Sequence, residues 1–277
     1  LKVDQVSVDG VFDRLSLSGR EALNSGSGNV FVQNLGDVVS TTGNGAPALL
    51  IQSVGGGGGW AALKEATDTN LLLGSIQGSD GYGGEIVVDT TADISTTGWY
   101  SQGIRVQSVG GGGGAASARA KELRMGATSM SGNMSGGNID FTNSGNVYTK
   151  ATGSSGINIT SLGGGGGTVF GISTDTAIFG TRSESLTIDA RGGDIDVVNT
   201  GRFVTTEGQA ASALIVVSGG GGGGCGAGIG GDLLGGANAN GNTSAGDVTL
   251  TNEAALTTLG DGSIGLNVAS HGGGQAI

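Results

Sequence analysis

Residues 137–151 read GNIDFTNSGNVYTKA, and residues 193–207 read GDIDVVNTGRFVTTE. After the first glycine of each stretch, an apolar residue occupies every second position, as Ile139 and Phe141 do in the first stretch. This period of two predicts a β-strand with one buried face, because successive strand side chains point to opposite sides. The polar residues between the apolar ones predict a second face that is turned to water.

The same pattern occurs five times along the chain. The copies begin at Gly28, Gly84, Gly137, Gly193 and Gly246, so their spacings are 56, 53, 56 and 53 residues. Counted from those glycines, a second apolar stretch begins at Val38, Ile94, Val147, Phe203 and Leu256. A third apolar stretch follows and leads into a run of glycines. Such repeats predict a solenoid, because one copy cannot bury its apolar face alone whereas stacked copies share a core.

We therefore predict an all-β fold, a repetitive parallel β-solenoid (β-helix) with stacked polyglycine segments. We expect it to span residues 1–277 as one continuous solenoid, with residues 1–27 as the end of a preceding repeat. The repeat length is compatible with one wide coil or with two half-length coils. One wide coil is favoured, because it stacks the irregular stretches on one another along one side.

Two rows of polar residues recur at fixed places in the repeat. A serine precedes every glycine run, and an asparagine lies six residues after the first glycine in four copies; these are Ser53, Ser108, Ser161, Ser218 and Ser270, and Asn34, Asn143, Asn199 and Asn252. Thr90 replaces the asparagine in the second copy. Stacked asparagines can bond to one another or to a neighbouring turn, so we interpret both rows as structural positions. The turn glycines Gly36, Gly145 and Gly201 are expected where a positive φ is needed.

The glycine runs are Gly55–Gly59, Gly110–Gly114, Gly163–Gly167 and Gly219–Gly224. Ordering each glycine costs about 0.5–1 kcal/mol more than ordering alanine, so an ordered run needs compensation. Three interpretations stay open: flexible loops, ordered stacking with hydrogen bonds between coils, or a bare backbone surface where a neighbouring filament or ligand docks. The preceding serine and the nearly constant run length favour ordered stacking.

Composition and charge exclude several classes of protein. The 277 residues include 62 glycines, only 13 % are charged and 4 % are aromatic, so a core of large side chains is excluded. The net charge of −11 argues against binding to nucleic acid, which needs clustered lysine and arginine. The longest apolar run, Ala213–Val217, is too short to span a bilayer. We predict no nucleic-acid partner and no membrane insertion of this segment.

The repeated pattern G-x-V-x-V-x-N-x-G-x-V/I-x-T-T, ending in G-I-x-V-x-S-V-G-G-G-G-G, resembles the glycine-rich repeats in passenger regions of large autotransporter and adhesin proteins of Gram-negative bacteria. The resemblance covers the chain from about Gly28 to Ile277. It implies a right-handed β-helical passenger at the cell surface, exported through an outer-membrane β-barrel. It also implies a role in adhesion or in an extracellular matrix such as that of a biofilm. The C-terminal barrel of that family is missing from this sequence.

The sequence offers little material for an active site. Its one histidine, His271, occupies the position held by Val54 or Val109 in other copies, and its one cysteine, Cys225, has no basic partner nearby in sequence. A free thiol or an intermolecular link is open for Cys225. The nine-residue period of calcium-binding β-rolls is absent. We predict no catalytic, cofactor-binding or metal-binding residue, no cofactor and no enzymatic activity.

Two other functions are weaker alternatives. Four aspartates, Asp89, Asp140, Asp194 and Asp196, would gather on one face if the coils stack, as in β-helical enzymes that act on polysaccharides. Threonine pairs would form exposed rows of the kind that suits ice binding; these are Thr41-Thr42, Thr96-Thr97, Thr205-Thr206 and Thr257-Thr258. The favoured function is a structural segment of an extracellular bacterial fibre or adhesin stalk. Its partners would be itself and, beyond that, host surfaces or matrix glycans.

Overall fold

The structure, a computed structural model, describes residues 14–17, 26–63, 70–74, 81–118, 121–126, 132–170, 176–179, 187–227, 232–235 and 240–272. These residues contain β-strands and no helix. The strands form parallel sheets in which each strand comes from a different repeat. The predicted all-β parallel solenoid is therefore confirmed.

Three of these sheets form the main body of the solenoid, and we number them in the order in which one repeat passes through them. The first sheet contains Val30–Leu35, Ile86–Thr90, Ile139–Asn143, Ile195–Asn199 and Val248–Asn252. The second contains Val38–Thr41, Asp93–Thr96, Val147–Thr149, Phe203–Thr206 and Ala255–Thr258. The third contains Leu49–Val54, Ile104–Val109, Ile157–Leu162, Leu214–Gly219 and Leu266–His271.

Three further sheets follow the glycine runs. The fourth sheet contains Gly58–Leu63, Gly113–Ala118, Gly166–Phe170 and Gly223–Ala227. The fifth contains Arg14–Leu17, Asn70–Leu73, Glu122–Met125, Thr176–Phe179 and Asp232–Gly235, and the sixth contains Gly132–Asn133, Thr187–Asp189 and Asn240–Asn242. Arg14–Leu17 pairs with Asn70–Leu73, so this short strand occupies the fifth-sheet position of the coil before Gly28.

The register of the sheets shows that one repeat makes one wide coil. Ser108 pairs with Ser53 on one side and with Ser161 on the other, and each of these residues lies one full repeat away. The fourth and fifth sheets follow the same rule, since Gly113 pairs with Gly58 and Leu123 pairs with Leu71. Two half-length coils would instead place residues half a repeat apart beside each other.

The first three sheets enclose one continuous apolar core. Its members come from the inward positions of all three sheets, such as Ile86, Ile139 and Ile195 of the first sheet, each exposed by no more than 1 %. Because these side chains are β-branched and alternate with polar residues, every coil presents the same apolar face to the same space. Stacking then joins these faces into one core.

The three middle strands of the third sheet are buried on both faces, which the alternating sequence does not predict. The outer side chain of Gln107 donates a hydrogen bond to Thr168 Oγ1 of the fourth sheet (3.2 Å), and the guanidinium of Arg105 lies 5.3 Å from the ring centroid of Trp60. The fourth sheet therefore covers the outer face of the third. The expectation that the polar residues between the apolar ones face water is wrong for this sheet.

The sequence-based alignment of the second sheet is wrong by one residue in two copies. Ile94 pairs with Val39, not with Val38, and Val147 pairs with Val204, not with Phe203. Val38 and Phe203 consequently point outward and are 71 % and 38 % exposed. The two affected copies each carry one extra residue before this strand, so counting from the first glycine fails there.

The turn glycines are needed for a reason other than the one expected. Residues with positive φ in the described structure do not include Gly36, Gly145 or Gly201. A Cβ at Gly145 would lie 1.9 Å from the carbonyl oxygen of Ala92, and one at Gly201 would lie 2.2 Å from that of Gly145. These two glycines therefore permit close stacking of one turn on the next.

A positive φ instead recurs in every described coil, in the turn between the second and third sheets. The residues at this position are Gly45, Tyr100, Gly153, Ala210 and Gly262, with φ between 49° and 68°. Each of the first four donates its N–H to a carbonyl of the next coil, for example Ala210 to Asp261 at 2.9 Å. Non-glycine residues in this left-handed region cost about 1–2 kcal/mol.

Ala210→Gly is expected to raise the free energy of unfolding by about 0.5–1 kcal/mol, because relief of the left-handed strain exceeds the entropy that glycine adds to the unfolded chain. Gly262→Ala is the matched reverse change: its φ is 68° and an added Cβ would meet nothing within 4 Å. It is expected to lower the stability by a similar amount. Urea titration measures both, and a change of the same sign in the two variants would contradict the assignment.

Candidate functional site

The serine that precedes each glycine run connects two successive coils across the core. Ser108 Oγ donates a hydrogen bond to the carbonyl oxygen of Gly84 in its own coil (2.8 Å) and accepts one from the N–H of Gly137 in the next (2.8 Å). Ser53, Ser161 and Ser218 make the same two bonds, each with its own coil and the next. Ser270, in the last described coil, keeps the bond to the Gly246 carbonyl (2.8 Å). We call these residues the serine ladder.

The glycines that face the serine ladder allow this close approach. A Cβ at Gly136 would lie 2.5 Å from Ser161 Oγ, and a Cβ at Gly137 would lie 2.2 Å from the carbonyl oxygen of Gly84. A larger residue at Gly136 would push against the third-sheet serine, and one at Gly137 would push the coil away from the previous one. The Gly-Gly pair that opens most copies is thus matched to the serine across the core.

The glycine runs are ordered and hydrogen-bonded between coils. In the run Gly110–Gly114, Gly110 donates to the carbonyl of Leu162 in the next coil (2.9 Å), and Gly112 donates to that of Gly55 in the previous coil (2.8 Å). Gly113 donates to the carbonyl of Gly57 (3.1 Å). Of the three interpretations of the runs, the described residues show the ordered stack. These bonds offset part of the entropy cost of fixing the glycines.

Bare backbone is required in these runs because the coils touch there without side chains. A Cβ at Gly114 would lie 2.1 Å from the carbonyl oxygen of Gly59 in the previous coil, and one at Gly113 would lie 1.8 Å from that of Gly166 in the next. The run Gly219–Gly224 has one glycine more than the other runs, but this extra glycine belongs to the third sheet. Its first glycine pairs with Leu162 and His271 in the third sheet, so the five that follow match the other runs.

Three asparagines form a ladder over the last three described coils, buried at Asn143 and Asn199 and half-buried at Asn252. Asn143 Nδ2 donates to Asn199 Oδ1 (2.8 Å), and Asn199 Nδ2 donates to Asn252 Oδ1 (2.7 Å). Thr90 continues the row and donates from Oγ1 to the carbonyl of Leu35 (3.1 Å). Asn34 does not belong to the row, because a bulge between Val32 and Leu35 makes Leu35 the partner of Thr90.

The threonine pairs do not form the exposed double rows expected for ice binding. The register joins Thr41, Thr96, Thr149, Thr206 and Thr258 into one row. Thr96, Thr149 and Thr206 of this row are fully buried. Their hydroxyls donate to the carbonyl five residues later, as Thr96 does to Ser101 (2.6 Å). The row therefore supports the left-handed turn and presents no flat surface to water.

The four aspartates gather only in part. Asp140 and Asp196 are paired neighbours on the exposed face of the first sheet. Asp194 lies at the edge of that face, where its Oδ1 accepts a hydrogen bond from the N–H of Asp247 (2.9 Å). Asp89 is next to Thr142 in the register and is not a neighbour of Asp140. The register neighbours of the Asp140–Asp196 pair in the adjacent strands include no basic residue.

The remaining reactive residues belong to three different sheets. His271 closes the third sheet beside Gly219, and burial lowers the pKa of its imidazole. Cys225 pairs with Thr168 in the fourth sheet, and its side chain lies outside the described part of the structure. On the second sheet, a hydrogen bond with Glu207 raises the pKa of Tyr148, and burial and the charge of the same carboxylate act in the same direction.

Sequence reasoning missed two features of the repeat. The left-handed row has a usable signal, because Gly45, Gly153 and Gly262 recur at one place in the repeat. The buried polar side chains on the outer face of the third sheet, Arg105 and Asn158 among them, have no such signal. Their burial depends on the fourth sheet, whose position follows from the geometry of the glycine runs.

Within the described residues, no group of three or more histidine, cysteine, aspartate or glutamate side chains is placed to hold a metal ion. The same residues contain no helix that is long and apolar enough to cross a membrane. Comparison of the chain with protein-family models, with curated proteins and with solved structures finds no match.

Proposed function

We propose that this chain is a structural segment of an extracellular bacterial fibre or adhesin stalk that associates with itself by stacking. The observation that carries the proposal is the register from coil to coil: the serine ladder, the glycine runs and the asparagine ladder repeat the same kinds of contact between adjacent repeats. A body built from such contacts extends along one axis and resists separation of its coils.

The last described coil has apolar residues that no further described coil covers. Leu266 and Val268 of the last described coil are 46 % and 42 % exposed, whereas their partners Leu214 and Val216 are fully buried. Apolar positions and open strand edges on a terminal coil are able to accept a further coil of the same geometry. A second copy of this chain meets that geometry, since its repeats share the same register.

Self-association is tested by sedimentation velocity and electron microscopy of the purified chain over a range of concentrations. We expect elongated particles whose length grows with concentration. Val268→Lys places a charge in the open apolar face and is expected to stop the growth, whereas Thr251→Lys, on the outward face of the same coil, is expected to leave it intact. Monomers at every concentration, or equal effects of the two lysines, would contradict stacking between copies.

The location and the adhesive role are tested on the cells that make the protein. Antibody labelling of intact cells is expected to detect the chain at the surface or in the matrix around them. Loss of the chain is expected to weaken attachment to host surfaces or to matrix glycans if the stalk takes part in adhesion. Labelling that requires broken cells would contradict the extracellular assignment.

A further inference from the structure

Three Asn-x-Ser/Thr triplets without a middle proline occur in the sequence. They are Asn133-Met134-Ser135, Asn158-Ile159-Thr160 and Asn242-Thr243-Ser244. Such a triplet is the acceptor for attachment of a sugar to the asparagine side chain, provided that it lies at the protein surface. The structure separates the three triplets, because Asn133 and Asn242 are exposed whereas Asn158 is fully buried.

The two exposed asparagines occupy equivalent positions in the sixth sheet. Asn133 pairs with Asp189 of the next coil, and Asp189 pairs with Asn242 of the coil after that. Two strand spacings, about 10 Å, therefore separate the two asparagines along the axis of the stack. Asp189 between them has no side-chain nitrogen, and its carboxylate accepts hydrogen bonds from the guanidinium of Arg191 (2.7 Å). One coil that cannot carry a sugar thus lies between two coils that can.

Both exposed triplets have the same local geometry. The Oδ1 of Asn133 accepts a hydrogen bond from the N–H of Ser135 (3.0 Å), and the Oδ1 of Asn242 accepts one from the N–H of Ser244 (3.3 Å). Each bond closes an Asx turn, which holds the asparagine side chain beside the serine that completes the triplet. The turn uses the oxygen of the amide, so the two hydrogens on Nδ2 take no part in it.

We propose that Asn133 and Asn242 are sites of N-linked glycosylation and that Asn158 is not. The donor is a sugar joined through its anomeric carbon to a diphosphate, which is carried by a nucleoside or by a lipid. The asparagine Nδ2 attacks the anomeric carbon, so that an N–C bond forms and the C–O bond to the diphosphate breaks. The diphosphate leaves with the electron pair, and the proton lost from Nδ2 passes to a base of the transferring enzyme.

The position of the two sites is compatible with stacking of the coils. Strand side chains project sideways from a sheet, perpendicular to the direction in which the strands stack. Sugars on Asn133 and Asn242 would therefore coat one side of the solenoid and leave contacts along its axis free. A sugar on Asn158 would instead have to fit inside the packed third sheet, where the side chain has no exposed surface. The inference goes beyond the proposed function, because it does not depend on self-association.

The test is mass spectrometry of tryptic peptides of the full chain, purified from the cells that make it. Cleavage after Lys150 and Arg202 places the three triplets in different peptides. We expect the peptides with Asn133 and Asn242 to be heavier by at least one sugar, and the peptide with Asn158 to be unmodified. The size of the sugar separates the two donors, because a nucleoside diphosphate delivers one sugar whereas a lipid diphosphate delivers a preassembled oligosaccharide. Unmodified peptides at both exposed sites, or a sugar on Asn158, would overturn the proposal.

Two variants made in the same cells check that the triplet is what the enzyme recognises. Ser244→Ala keeps Asn242 and the backbone N–H that bonds to it but removes the hydroxyl of the triplet, so we expect loss of the sugar at Asn242 alone. Asn138→Gln is the control, since Asn138 is also exposed but has Asp140 two residues later; both modified peptides are expected to remain. A sugar kept at Asn242 in Ser244→Ala would contradict the assignment. A chain that stacks without sugars would overturn this inference alone and leave the fibre proposal standing.

Discussion

Gly114→Ala is expected to lower the free energy of unfolding by about 2–5 kcal/mol. The φ of Gly114 is 130°, a region that costs alanine about 1–3 kcal/mol, and the new Cβ would lie 2.1 Å from the carbonyl oxygen of Gly59 in the previous coil. Relieving that overlap requires the two coils to separate, and overpacking of this kind costs about 1–3 kcal/mol more. Urea titration followed by circular dichroism measures the loss.

Gly59→Ala is the matched control for this change. Gly59 pairs with Gly114 in the fourth sheet and has a similar φ of 138°, but a Cβ at Gly59 would meet nothing within 4 Å. It therefore carries only the conformational cost, about 1–3 kcal/mol. Equal losses in the two variants would mean that the glycine runs serve backbone conformation alone and not the close stacking of coils.

Ser108→Ala is expected to lower the free energy of unfolding by about 2–4 kcal/mol. The alanine leaves the carbonyl of Gly84 and the N–H of Gly137 without the bonds that Ser108 Oγ makes to them, and Ser108 is fully buried. Each buried group that loses its partner costs about 1–3 kcal/mol. Thermal and urea unfolding of the purified chain are the measurements.

Ser270→Ala provides the comparison within the same ladder. Its Oγ makes one bond, to the carbonyl of Gly246, at an exposed position in the last described coil. Water can replace that bond, so a loss of less than about 1 kcal/mol is expected. A loss at Ser270 as large as that at Ser108 would show that the serines matter for some reason other than their link between coils.

The sequence predicts the strand faces well because a period of two survives in every copy. Ile139 and Phe141 are buried as their alternation requires, and the serines that precede the glycine runs fall into one row. These features depend on local spacing within one strand. Stacking then places equivalent residues of adjacent copies next to one another. The repeat alone is therefore enough to predict which residues are neighbours.

The errors come from places where copies differ in length or where a second layer covers a sheet. A bulge in the first copy moves Asn34 out of the asparagine row, and an extra turn residue in the fourth copy turns Phe203 outward. Alternation assigns Gln107 to water, yet Thr168 of the fourth sheet covers it. Neither an unpaired extra residue nor a covering sheet changes the local period, so the pattern cannot reveal them.

The Cα–Cα distance between equivalent residues of adjacent copies tests the account most directly. Ser108 and Ser161 are the best pair, because both are buried and they are paired neighbours in the third sheet. A crystal structure or a solid-state NMR measurement is expected to give about 4.8 Å, the spacing of neighbouring strands. About twice that distance would mean two coils per repeat, and a separation of tens of ångströms would contradict the solenoid.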